Sequence, residues 1–131
     1  MSAYLLDTDW IIDCLTGDQG AIDTLLDASS SGLATSVVSY AELYEGVVSS
    51  RRRAEDLEQL EDFLSGVEIL GVDLGVARIF GERRAELRAR GLLIDNFDLL
   101  IAATALRFDL VLLTRNVKDF GRIEGLAVYG N

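Results

Sequence analysis

The first four apolar runs of this chain are short, and no hairpin-length turn joins any of them. YLL (4–6), GLATS (32–36), VEILGV (67–72) and LVLLT (110–114) are parted by stretches long enough for one or two helices, and LAVYG (126–130) closes the chain. Strands that must travel through a helix before meeting again pair in parallel. The order β-α-α-β-α-α-β-α-α-β-β therefore predicts an α/β domain of three layers, a mainly parallel sheet of four to five strands flanked by helices. No proline, repeat or low-complexity linker interrupts the pattern. Residues 1–131 are expected to form one domain, large enough to bury a core.

Glycine, serine and aspartate punctuate the helices. WIIDCLTG should be a short helix ending at Gly17, and QGAIDTLLDASSSG a second one closed by Ser29–Gly32. SYAELYEGVVSS reads as a helix with Ser39 as N-cap. RAEDLEQLEDFLSG places Leu57, Leu60 and Leu64 on one face and acids on the other. Asp73 should cap a long helix running through Arg90 and stopped by Gly91. DNFDLLIAATALRF is apolar nearly all round and should lie at the centre of the fold.

Composition narrows the chemistry. Twenty-two acids against 12 bases give a net charge of −10, opposite to that of a sequence-independent nucleic-acid binder. A cation or a basic partner is easier to attract. The chain has no histidine and a single cysteine, Cys14, within an apolar stretch. A zinc site and histidine acid–base catalysis are therefore disfavoured, and Cys14 reads as a small core residue. No apolar run approaches the length of a membrane span, no basic leader precedes the first strand, and one free thiol suits a reducing compartment, so a cytoplasmic location is expected.

Chemistry then rests on carboxylates, and a parallel sheet gathers residues at the carboxyl ends of its strands. Asp7 follows the first strand and opens a helix. Helix capping explains one acid there, yet Asp7-Thr8-Asp9 supplies three capping residues in a row. Glu42 completes a Ser39-x-x-Glu42 capping box, and Glu45 is its rival for an inward role. Asp98 opens the apolar helix although Asp95 or Asn96 already suffices as cap. Asp119 lies in a loop after LVLLT, beside Asn116. Clustered carboxylates repel one another, and a hard divalent cation removes that penalty, which points to Mg2+ or Mn2+.

YLLDTDWIID, TSVVSYAELYEGV, DNFDLLIAATAL and LVLLTRNVKDFGRIEGL resemble, in that order, the signature segments of PIN-domain ribonucleases, closest to the VapC toxins of type II toxin–antitoxin pairs. The resemblance covers essentially the whole chain. It implies a Mg2+- or Mn2+-dependent endoribonuclease, homodimeric and held inactive by a cognate antitoxin. By position it makes Asp7, Glu42 and Asp98 the first three acids, with Asp7 and Asp98 on the metal. The fourth acid is variable in the family: its usual early position holds Asn116, and Asp119, three residues later, is the catalytic candidate there. Thr8 and Thr114 match supporting hydroxyls. Water activated by the ion, with Glu42 orienting it, would leave a 5′-phosphate and a 3′-hydroxyl. Arg115, Lys118 and Arg122 are the candidate RNA contacts. The Arg51-Arg52-Arg53 run reads as a solvated turn. Two other readings compete: a phosphatase of the haloacid dehalogenase type using Asp7 as nucleophile, and a PIN-like binding module with a crippled site. The antitoxin should carry a basic segment that enters the acidic cluster and wraps the helices after Gly32.

Overall fold

The inner strands of the sheet alternate their side chains between two cores, and that alternation builds the layers. A computed structural model of the chain describes residues 2–130. It shows β1 (Tyr4–Leu6), α1 (Thr8–Leu15), α2 (Gln19–Ser29), β2 (Leu33–Ser36), α3 (Val37–Val48), α4 (Arg53–Leu64), β3 (Glu68–Leu70), α5 (Leu74–Ala89), α6 (Asn96–Phe108), β4 (Val111–Leu113), α7 (Val117–Phe120) and β5 (Val128–Tyr129). The five strands pair in the order β3-β2-β1-β4-β5, all parallel. Leu5 and Leu112 point into one core with Leu99, Ile101 and Ala102 of α6 and Phe120 of α7. Leu6 and Leu113 point into the other with Trp10, Ile11, Leu43 and Leu60, from α1, α3 and α4. The sheet is thus covered on both faces, as a parallel sheet requires.

The chain runs from β1 outward to β3 on one side, then returns across β1 to add β4 and β5 on the other. A parallel sheet has its topological switch point there, and a crevice opens beyond the carboxyl ends of the strands. Asp7 and Thr114 follow the two strands that flank the crevice, in register, because Leu6 pairs with Leu113.

Most expected boundaries are observed. Gly17, Gly32 and Gly91 adopt positive φ just beyond the ends of α1, α2 and α5, where a left-handed residue ends a helix without strain. Asp73 caps α5 by accepting from Val76 N–H at 2.7 Å. Cys14 is a buried residue of the second core. Arg51, Arg52 and Arg53 are exposed, and Arg52 faces Glu55.

Two expectations need correction. The cap of α3 is Ser36, whose hydroxyl accepts from Val38 N–H at 3.0 Å. Ser39 lies inside the helix, buried, its Oγ without a partner. The Ser39–Glu42 capping box does not form, because the helix begins directly where β2 stops pairing. The loop expected around Asp119 also contains a single helical turn, α7, capped by Asn116.

Candidate active site

Asp7 is the N-cap of α1, and its carboxylate is buried against the sheet edge. Its Oδ1 accepts from Thr8 N–H at 2.8 Å and its Oδ2 from the Thr114 hydroxyl at 2.6 Å. Burial pushes its pKa up to about 7; the nearby Asp9 charge raises it further, while the two hydrogen bonds pull it down. A carboxyl held this far above its usual range is in a place where charge is expected to be compensated by something else.

Glu42 is brought in from α3. The Thr8 hydroxyl donates to Glu42 Oε1 at 2.7 Å, spanning 34 residues. Freed from any capping box, Glu42 therefore faces the carboxyl end of β1, whereas Glu45 is exposed. Asp98 stands in the first turn of α6, behind the cap Asp95, which accepts from Phe97 N–H and Asp98 N–H. Burial pushes Asp98 up to about 6, helped by the charges of Asp95, Glu42, Asp119 and Asp9. The acids that sequence reasoning selected are thus near enough to act on one another, although they come from four different helices.

Asp119 stands at the rim. Asn116 Nδ2 donates to its Oδ2 at 3.2 Å, and the Arg122 guanidinium lies 3.9 Å from its Oδ1. Arg122 also donates to Leu93 O at 3.3 Å. Lys118, the chain's only lysine, is exposed. Arg115, expected to meet RNA, points elsewhere. Its Nε lies 2.9 Å from Asp13 Oδ2, its Nη2 3.5 Å from Asp18 Oδ1, and its guanidinium carbon 4.4 Å from the centre of the Trp10 ring. Its side chain ties the loop after β4 to α1 and α2.

Asp9, for which the sequence offers only a capping role, reaches the loop after β4. Its two oxygens accept from Arg115 N–H at 3.3 and 3.2 Å, and burial raises its pKa. The only signal in the sequence was the D-x-D spacing, which has a sufficient explanation in capping.

Among the described residues, none of Asp7, Asp9, Glu42 and Asp98 forms an ion pair. Nor do three such side chains converge on one point there. The available donors are carboxylate and hydroxyl oxygens, with no histidine in the chain. That set fits a hard divalent cation and does not fit zinc.

Comparison with known proteins gives one answer. The PIN domain family model matches residues 4–126. The chain is 34% identical to Ribonuclease VapC2 of Rickettsia felis over 94% of its own length and 93% of the relative's. It is 30% identical to the tRNA(fMet)-specific endonuclease VapC of Salmonella typhimurium, covering 98% and 97% of the two chains. Its fold superposes with a TM-score of 0.93 on a chain of VapBC2 from Rickettsia felis, solved bound to a DNA fragment from their promoter, with 31% identity and 98% coverage of each chain.

Proposed function

The chain belongs to the PIN-domain family and, within it, to the VapC ribonucleases, and on that footing we propose that it is the toxin of a toxin–antitoxin pair, an endoribonuclease that hydrolyses RNA with Mg2+ or Mn2+. The observation that carries this reading is the set of acids at the switch point, Asp7 buried and Asp9, Glu42 and Asp98 partly so, none of these four in an ion pair among the described residues. Asp7 and Asp98 are the residues to hold the cation. When bound, such an ion lowers the pKa of water and offsets charge developing on phosphate oxygens.

The chain's own residues do the rest. Thr114 fixes the Asp7 carboxylate, and Thr8 fixes Glu42 by one oxygen, leaving Oε2 to orient the attacking water and accept its proton. Asp119, aligned by Asn116, adds negative potential at the rim. Lys118 and Arg122 would hold the RNA backbone, and Arg115 would serve by anchoring the loop that carries them. Attack by water leaves a 5′-phosphate and a 3′-hydroxyl. The named activity of the Salmonella relative makes tRNA the first substrate class to try.

An antitoxin is the natural partner, since the structural relative is a complex of that type. A cavity of about 250 Å3 lies among Ile12, Leu15, Leu43, Val47 and Leu60 and reaches Glu42 at one end. An apolar segment would rest there with a basic side chain directed at the acids, in keeping with the net charge of −10. Exposed Leu74 and Phe97 offer surface for a two-fold homodimer. No helix among the described residues is long and apolar enough to cross a membrane, and we place the activity in the cytoplasm.

The test is to incubate the purified chain with total RNA in Mg2+ or in EDTA and to map the new ends by sequencing. Discrete cuts bearing 5′-phosphates, seen only with Mg2+, are expected. Cleavage indifferent to EDTA, or none in either, would overturn the proposal.

A further inference from the structure

Asp9 and Asp119 differ in what already compensates them. Asp119 takes a hydrogen bond from Asn116 Nδ2 and faces the Arg122 guanidinium. Asp9 has Arg115 close by in the fold, but that guanidinium is turned to Asp13 and Asp18 and over Trp10. What Asp9 receives from Arg115 is only its backbone N–H.

A neutral acceptor would satisfy that N–H as well, so the hydrogen bond does not account for a charge at this position. Asp9 Oδ2 also lies 3.4 Å from Thr114 Oγ1. That hydroxyl has one proton, which is committed to Asp7 at 2.6 Å, and it accepts from Asn116 N–H at 3.0 Å. Asp7 and Asp9 therefore share a single hydroxyl with one proton to give. The Asp9 charge is also among those that raise Asp98. Asp9 thus stands beside Asp7, on the hydroxyl the two share, while Asn116 in the loop brings no charge.

We propose that Asp9 is the fourth carboxylate of the cation site, supplying from α1 the charge that the loop position Asn116 lacks. This rests on the reading of Asp7 and Asp98 as the cation's holders. Asp9→Asn tests it directly, because an amide oxygen still faces Arg115 N–H while the charge is gone. Asp9→Ser is a second variant that keeps a short acceptor without an amide.

Mn2+ should be titrated calorimetrically into the parent, both Asp9 variants, Asp7→Asn and Asp119→Asn, with thermal melts in EDTA alongside. The expected result is that Mn2+ affinity falls about tenfold to a hundredfold in both Asp9 variants. In EDTA, Asp9→Asn should melt at or above the parent's temperature, since a like charge has been removed. Parental Mn2+ affinity in the Asp9 variants, with affinity lost in Asp7→Asn, would overturn the assignment and leave the site reading standing. A loss confined to Asp119→Asn would return the fourth place to the loop. Parental affinity in Asp7→Asn, or no binding by the parent, would bring down the site reading and this inference with it.

Discussion

Replacing Asp7 by Asn should make the protein more stable without a divalent ion and unable to gain from one. Asp7 is 4% exposed, and its pKa stands at about 7 against an ordinary 3.8. At about 1.4 kcal/mol per pH unit, keeping this charge at pH 8 costs about 4 kcal/mol. Asn is as good an N-cap as Asp, so the bond from Thr8 N–H survives. The Thr114 hydroxyl now meets an Nδ2 donor and must turn its proton away, toward Asp9 Oδ2, at a cost of about 1 kcal/mol. The net gain is about 3 kcal/mol, or about 10 °C in melting temperature for a domain of this size. The sign follows from the raised pKa. The penalty is absent below the unfolded value of 3.8, grows with pH, and is complete once pH passes the folded value of about 7. Calorimetric melts in EDTA at pH 8, 5 and 4 should show the variant's advantage shrinking and then giving way to a slight deficit, as only the cost of about 1 kcal/mol for the turned hydroxyl is left, and Mn2+ should raise the parent alone. A variant that melts below its parent at pH 8, or an advantage equal at all three pH values, would refute the account of Asp7.

Other consequences follow from the same geometry. Glu42→Gln keeps an acceptor for the Thr8 hydroxyl, so the fold should persist while RNA cleavage falls by about two orders of magnitude, the scale of general-base loss; near-parental cleavage would remove Glu42 from the chemistry. Arg115→Ala should cost about 2 kcal/mol in a urea melt, from the Trp10 stack and two half-exposed ion pairs; unchanged stability with weakened RNA binding would restore Arg115 to the RNA. Inhibition by a basic antitoxin segment should weaken as Mg2+ is raised at fixed ionic strength, because ion and side chain seek the same oxygens; indifference to Mg2+ would point to blocking of the RNA path.

The features legible in the sequence were those that short-range rules decide. Asp73 and Gly91 bound α5 because a cap and a left-handed stop act within one turn. The uniform hydrophobicity of α6 foretold its burial, which Ile101, Ala102 and Ala103 bear out. The start of α3 was misjudged because Ser36 and Ser39 are equally good caps by local chemistry. The choice is made by β2, whose pairing to β3 extends through Ser36 and leaves no room for a linker. α7 was missed because four residues are too few to display a helical period. The tie of Arg115 to Asp13 and Asp18 is not legible because those partners lie about a hundred residues away in sequence, where no local pattern reaches.

The same long-range closure explains why the acids can be read one by one and yet not as a site. Each has an adequate local role: Asp7 caps α1, Asp95 in front of Asp98 caps α6, and Asn116 beside Asp119 caps α7. What no local role supplies is a reason for Asp7 and Asp98 to be charged where burial and the fields of neighbouring carboxylates oppose it. Capping alone would be served by Asn or Ser, without that penalty. The parallel sheet imposes the conflict by placing helix N-termini at one edge. Helix dipoles ease it only in part, since each is worth about 1 kcal/mol against a cost several times larger at Asp7. The remainder is free energy available to whatever cation arrives. On the proposed function, a divalent ion and a partner's Arg or Lys would be competing answers to one electrostatic deficit.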